Sequence, residues 1–156
     1  MEKNKEINKS MRFAIESHRD VNQLYDGLPY HVHLQEVVEY IKRFKHLLDE
    51  NDYIKVMCSG WLHDVLEDTK MNYNHIKTET NEEVADIVLL LTNHRGKNRK
   101  QRANDDYYAG IKSDNNAIFV KLCDRLGNMT HSFLYGDGDK FKMYKKELHN
   151  FKSKLY

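Results

Sequence analysis

Apolar side chains recur at helical spacing along almost the whole of this chain, and that periodicity, with Pro29 as the only proline, is its strongest constraint on fold. Val37, Val38, Ile41, Phe44, Leu47 and Leu48 line one face of a helix over about 35 to 48. Val84, Ile87, Val88 and Leu91 repeat the pattern over about 83 to 92, with Asn81 placed as its N-cap. A third stripe, Ile118, Phe119, Leu122, Leu126, Met129 and Phe133, predicts a helix over about 116 to 133 with this face inward. Phe141, Tyr144, Leu148, Phe151 and Leu155 predict a last helix over about 139 to 155 that packs onto the bundle. Between these, Tyr53, Ile54, Val56, Met57, Trp61, Leu62, Val65 and Leu66 are dense enough for a central buried helix over about 53 to 67. Strand-type alternation is hard to find. The expectation is an all-α, single-domain helical bundle over residues 1–156.

Two breaks organise the bundle. Asp26-Gly27-Leu28-Pro29 is a turn signal that separates an N-terminal helix, about 8 to 24, from the helix that follows, and Gly136-Asp137-Gly138 precedes the last helix. Residues from Arg95 to Asp106 are rich in Arg, Lys, Asn and Asp and read as a polar loop. Lys and Arg number 25 against 24 Asp and Glu, a net charge of +1, so no global field draws the chain to nucleic acid or to a membrane. Cys58 and Cys123 fall within apolar helical patterns, as buried reduced thiols do. The N-terminus, Met1 to Met11, is polar and charged, and no apolar run approaches membrane-spanning length. A soluble, cytoplasmic protein is the expectation, with an oligomeric state left open.

The chemistry sits in His63-Asp64, followed by Val65-Leu66-Glu67-Asp68-Thr69. A His-Asp pair alone is weak evidence, because such pairs arise by chance. Neighbours on one helix stripe cannot both point the same way, yet near a helix end both can reach one ion. Glu67 stands four residues after His63, on the same helical face, and Asp68 borders it, so this acidic pair is placed to activate water. His33, just past the first turn, offers a nitrogen, and Asp124, on the 116–133 helix, offers an oxygen. Two imidazoles and two carboxylates form a mixed N/O shell suited to Mn²⁺, Fe²⁺ or Zn²⁺, and such a shell can serve metal-assisted phosphoester hydrolysis.

Three segments together carry a resemblance: Gly27-x-Pro-Tyr-x-x-His33, His63-Asp64-Val-Leu-Glu-Asp-Thr69 and Lys121-Leu-Cys-Asp-Arg-Leu-Gly-Asn-Met129. They resemble the G-x-P-Y-x-x-H-P, H-D-V-x-E-D-T and K-L-A-D-R-L-x-N-M runs of the HD-domain superfamily, and more closely those of the hydrolase domains of RelA/SpoT-homologue alarmone enzymes and their small stand-alone relatives. The resemblance spans roughly residues 11 to 131. It implies that His33, His63, Asp64 and Asp124 are metal ligands and that Glu67 and Asp68 activate water. It also implies that Arg125 and Asn128 brace the site and touch the nucleotide. The implied activity is Mn²⁺-dependent 3′-pyrophosphohydrolysis of guanosine tetra- and pentaphosphate, with Fe²⁺, Zn²⁺ or Mg²⁺ as other ions; a metazoan relative also removes the 2′-phosphate of NADPH. Other readings on the same scaffold are a 5′-nucleotidase, an NADPH 2′-phosphatase and a non-catalytic nucleotide sensor. The intact Glu67-Asp68 pair speaks against the sensor. The chain departs from the family where an A-H-x-G-Q-x-R run is common: Ser17-His18-Arg19-Asp20-Val21-Asn22-Gln23-Leu24-Tyr25 is one residue longer and lacks the late arginine. Leu34, Cys123 and Gly127 replace the usual proline, alanine and histidine, and none of these changes removes a ligand.

The remaining candidates are less specific. His31 alternates with His33 on what reads as an extended stretch, so only His33 is expected to face the ion. His75 and His94 follow the His-Asp pair as second-metal ligands do elsewhere, but their polar surroundings favour solvated or phosphate-facing roles. His18, His46, His131 and His149 carry no pattern and read as ordinary histidines. In the basic run, Lys97, Arg99 and Arg102 are candidates to bind substrate phosphates, with a solvated face as the alternative. Tyr144, with Tyr107 and Tyr108, is a candidate to stack on a base, against simple core packing.

Overall fold

In the computed structural model, which describes residues 2–93, 96–136 and 138–155 (without the side chains of residues 2, 3, 99 and 100), local capping chemistry sets where most helices begin. Asp49, Asn72, Asn81, Asn104 and Asp114 each accept a hydrogen bond from a backbone N–H in the first turn of the helix that follows. The helices they start are α3 (Glu50–Leu62), α5 (Tyr73–Glu79), α6 (Glu82–Leu91), α8 (Asp105–Lys112) and α9 (Asn115–Leu134). The others are α1 (Glu2–Asp20), α2 (His31–Arg43), α4 (Val65–Asp68), α7 (Arg99–Arg102) and α10 (Asp139–Leu155). The all-α expectation holds. Among the described residues the one exception is a two-residue antiparallel pairing of β1 (Leu24–Tyr25) with β2 (Leu28–Pro29). Asp26 and Gly27 join these strands with φ of 48° and 82°, the two positive values that a tight two-residue hairpin turn requires.

α3 is the core of the bundle. Every residue from Val56 to Leu62 is buried, and the helix packs against α1, α2, α6 and α9. Gly60 lets α2 come close, because a Cβ there would overlap Ile41. Val37, Val38 and Ile41 of α2 and Val84, Ile87, Val88 and Leu91 of α6 close around it as their spacing predicts, while Phe151 and Leu155 bury α10 against α8 and α9. No described helix is long and apolar enough to cross a membrane. Cys58 and Cys123 are free and buried, and burial pushes their thiols up to about 11 and about 12.

Four expectations need correction. The N-terminal helix stops at Asp20 rather than running to about 24, because the hairpin takes over from Leu24. His31 and His33 lie on the first turn of α2, not on an extended stretch, and helical rotation rather than strand alternation points them apart. The polar stretch before residue 106 contains α7 and the start of α8, whose inner face of Tyr107, Tyr108 and Ile111 is too short for periodicity to reveal. α9 turns inward a face rotated from the predicted one, although Ile118, Phe119 and Leu122 pack against the core. Ala117, Val120, Cys123, Asp124, Arg125, Gly127, His131 and Ser132 are buried, whereas Leu126 and Phe133 of the predicted stripe are exposed. Small side chains on α9 permit the close approach to α2, which leaves the bulkier residues at the flank, where Phe133 meets Phe141 at 5.2 Å. His94, Arg95, Asp137 and the side chains of Arg99 and Lys100 lie outside the described residues.

Candidate metal centre

The central helix breaks where the chemistry sits. α3 ends at Leu62, Asp64 takes φ −100° and ψ −1°, and α4 resumes at Val65, so the His63 and Asp64 side chains reach the same point despite being neighbours. His63 Nδ1 lies 2.9 Å from the Gly60 carbonyl oxygen, which fixes it as the N–H donor and leaves Nε2 with a free lone pair. His33, on the first turn of α2, brings its Nε2 to 3.2 Å from His63 Nε2. Asp64 Oδ2 lies 3.0 Å from His63 Nε2 and 3.4 Å from His33 Nε2. Asp124 Oδ1, from α9, lies 3.4 Å and 3.8 Å from the same two nitrogens.

These separations are those of ligands around one ion. With bonds of about 2.1 Å, two ligands at right angles stand about 3.0 Å apart and two at the tetrahedral angle about 3.4 Å apart. His33, His63 and Asp64 each offer an atom within 4.8 Å of the others; Asp124 stands outside that trio, with its Oδ1 facing the two ring nitrogens from α9. The donor set therefore fits a divalent cation. The charge balance points the same way. Burial opposes a charged ring, yet hydrogen bonds to Asp124 and Asp64 and their charges override it and raise His33 to about 10; His63 is also raised. Burial likewise opposes ionisation of Asp64 and Asp124, but the histidines, and Lys121 in the case of Asp124, hold both carboxyls well below the usual range.

The carboxylates are braced from outside. The Tyr30 hydroxyl donates to Asp64 Oδ2 at 2.6 Å, and the Tyr30 ring stacks on His18 at 4.4 Å. Lys121 Nζ donates to Asp124 Oδ2 at 2.9 Å, and Asn128 Nδ2 donates to Asp124 Oδ1 at 2.6 Å. Lys121 thus makes a salt bridge to Asp124 on its own helix. Arg125 is buried, pairs with Glu147 at 3.0 Å and lies over the Tyr144 and Phe151 rings.

Asp68 is partly buried, and burial, then the charges of Asp64 and Glu67, raise it to about 6; Gln23 Nε2 reaches its Oδ2 at 3.5 Å. Asn93 clamps the Glu67 carboxylate with bonds of 2.9 Å from Nδ2 and 3.2 Å from the backbone N–H. Glu67 and Asn93 open onto a cavity of about 170 Å³ that is also lined by Arg102, Tyr107, Lys121 and Arg125. The structure thus brings Arg102 and Arg125 to one cavity beside the shell, with Asn128 on the shell itself; Lys97 stands exposed before α7, and Tyr144 lies under Arg125. His75 is not placed as a second-metal ligand: its ring accepts from the Asn72 N–H and completes the cap of α5.

Sequence reasoning missed His18, Tyr25, Lys121 and His131. His18 and His131 are buried, at 1% and 2% exposure, and no pattern marks them. Lys121 carried a signal, its i,i+3 spacing to Asp124 on one helix.

No family model matches the chain. It is 24% identical over 136 residues to the probable guanosine-3′,5′-bis(diphosphate) 3′-pyrophosphohydrolase of Mycoplasma pneumoniae, which covers 80% of this chain and 18% of that protein. It is 31% identical over 110 residues to the protein of that name from Borreliella burgdorferi, covering 67% and 16%. It is 27% identical over 123 residues to the guanosine-3′,5′-bis(diphosphate) 3′-pyrophosphohydrolase MESH1 of Danio rerio, covering 77% and 65%. The chain thus spans less than a fifth of the length of these bacterial relatives. A solved structure described as a metazoan ortholog of SpoT that hydrolyzes ppGpp superposes with a TM-score of 0.71 at 19% identity, over 96% of this chain and 83% of that one. The resemblance read from the three motifs is matched by both comparisons: in sequence the chain is similar to proteins named guanosine-3′,5′-bis(diphosphate) 3′-pyrophosphohydrolase, and in fold to the SpoT ortholog.

Proposed function

We propose that this chain is a metal-dependent phosphohydrolase that removes the 3′-pyrophosphate of guanosine 3′,5′-bis(diphosphate) or a close relative of that nucleotide. The observation that carries the reading is the convergence of His33, His63 and Asp64, whose facing atoms stand at the separations of ligands to one divalent ion, with Asp124 Oδ1 turned toward the same two ring nitrogens as the fourth proposed ligand. Manganese is the ion proposed, on the mixed N/O donor set and on the resemblance. Two free, buried thiols fit a reducing, cytoplasmic setting. The names of the relatives supply the substrate class.

The chemistry contributed by a bound divalent ion is Lewis-acid polarisation of a phosphoryl oxygen and acidification of water. The chain's own groups do the rest. Asp68, with its acidity shifted to about 6, accepts the proton of the attacking water, and Glu67, clamped by Asn93, orients that water. The water oxygen bonds to the phosphorus, the bond from phosphorus to the ribose 3′-oxygen breaks, and the 3′-oxygen leaves with the bonding pair and is protonated. Lys121, Arg102 and Arg125, around the cavity beside the shell, neutralise the diphosphate; Asn128 steadies the shell, and Tyr144 supports Arg125.

The test is to incubate the purified protein and Asp64→Ala with Mn²⁺ and, separately, guanosine tetraphosphate, NADPH and deoxynucleoside monophosphates, and to identify the products. Pyrophosphate release from the tetraphosphate by the native protein alone is the expected result. Equal release by Asp64→Ala would refute the scheme, and cleavage confined to NADPH or to the monophosphates would replace the substrate.

A further inference from the structure

The two shell histidines are held in different ways, and the difference singles out a residue no motif contains. A metal-bound imidazole normally donates its other N–H to an oxygen that fixes the ring. His63 does so, to the Gly60 carbonyl. His33 does not: its Nδ1 is buried and, among the described residues, has no hydrogen-bond partner. What lies against the His33 ring instead is Tyr25, at 4.8 Å between centroids, with Tyr30 meeting it edge-on at 5.6 Å.

Tyr25 reaches the other side of the shell as well. Its hydroxyl donates to Asn128 Oδ1 at 3.0 Å, on the far end of the amide whose NH₂ donates to the Asp124 carboxylate, a group that can only accept. One side chain thus presses on the α2 ligand through its ring and directs the α9 ligand through its hydroxyl, touching no ion itself. The hairpin that carries it is latched. Asp26 pairs with Lys140 of α10 at 2.5 Å and lies 3.4 Å from His131, whose ring accepts Tyr25 on one face at 4.4 Å and bonds Glu36 of α2 at 2.8 Å.

We propose that Tyr25 is a positioning residue of the metal centre, taking for His33 the place of the missing hydrogen-bond partner and setting Asp124 through Asn128. The inference rests on the metal-site reading above. It predicts two separable arms. Tyr25→Phe keeps the ring and loses the hydroxyl; Tyr25→Leu loses both.

The experiment is calorimetric titration of the metal-free proteins with Mn²⁺ alone, alongside thermal melts. Tyr25→Phe is expected to weaken Mn²⁺ binding about tenfold, with an unchanged melting temperature. Adding Tyr25→Phe to Asn128→Ala is expected to weaken binding no further, because the hydroxyl acts only through that amide. Tyr25→Leu is expected to weaken binding beyond Tyr25→Phe, and the excess is expected to persist in the Asn128→Ala background, since it passes through His33. Native-like affinity in Tyr25→Phe, or effects of Tyr25→Phe and Asn128→Ala that multiply, would overturn the relay; equal affinity in Tyr25→Phe and Tyr25→Leu would overturn the ring contact. Failure of the native protein to bind Mn²⁺ would instead sink the metal-site reading, and this inference with it.

Discussion

His18 is the group whose burial has the clearest thermodynamic consequence. It is 1% exposed, neither ring nitrogen has a hydrogen-bond partner among the described residues, and its ring stacks on Tyr30. Burial is the largest cause that lowers its pKa from 6.5 to about 4; His63 and His33 add to it and Asp64 opposes it. The sign follows from proton counts. Below 6.5 the unfolded chain binds a proton at this ring that the folded chain refuses until about 4, so stability is full above 6.5 and is lost as the pH falls toward 4. Between about pH 7.5 and about pH 4.5 the ratio of the two binding polynomials gives a loss of about 2.5 kcal/mol from this group alone. Other groups titrate in the same window, so the perturbation is His18→Phe, which keeps a ring against Tyr30 and removes the titration. Urea unfolding of both proteins in a chelating buffer at the two pH values is the assay. The native protein is expected to lose about 2.5 kcal/mol more than the variant over that interval. Losses that agree to within about 0.5 kcal/mol would show that the folded chain accommodates a charged His18, and the reasoning would fail.

Two further outcomes follow from the shell. Asp68 is raised from 3.8 to about 6, so its proton-accepting form is lost as the pH falls through about 6; the rate of pyrophosphate release is expected to rise with pH across that region, and Asp68→Asn is expected to abolish this dependence together with most of the rate, whereas a retained rise would assign it elsewhere. Lys121→Met removes the cation beside Asp124 Oδ2, with an expected loss of about 2 to 3 kcal/mol in the metal-free protein that saturating Mn²⁺ recovers in part; melts with and without the ion measure it, and an unchanged metal-free stability would show that the pair does not hold α9 in place.

The candidate ligands were legible in the sequence, and the groups that support them were not, for a geometric reason. His63 and Asp64 are adjacent, and His33 and Asp124 sit in runs whose composition is unusual enough to notice. The supports join segments far apart in the chain: Tyr25 to Asn128, Tyr30 to Asp64, Glu67 to Asn93. Such pairs leave no periodic trace, since nothing about a tyrosine at position 25 records which helix its hydroxyl will meet. The helices themselves were read well where one face was long and apolar, as in α6 and α10, and poorly where burial went to small or polar side chains. α9 shows this most plainly. Its inner face carries Ala117, Cys123, Asp124, Gly127 and His131, a set chosen by close approach and by the site, and a count of hydrophobic residues favours the wrong side.

The same packing brings two carboxylates and two imidazoles to one point, where the carboxyls are held low and the rings are held high, each pair favoured by the charge of the other. A divalent cation held there by His33, His63 and Asp64 would supply that positive charge with both rings neutral, so its binding would release protons and would weaken as the pH falls. The outer groups are arranged for this: Lys121, Asn128 and Tyr30 bond the carboxylates and leave the two imidazole Nε2 atoms facing one another at the point the cation would take.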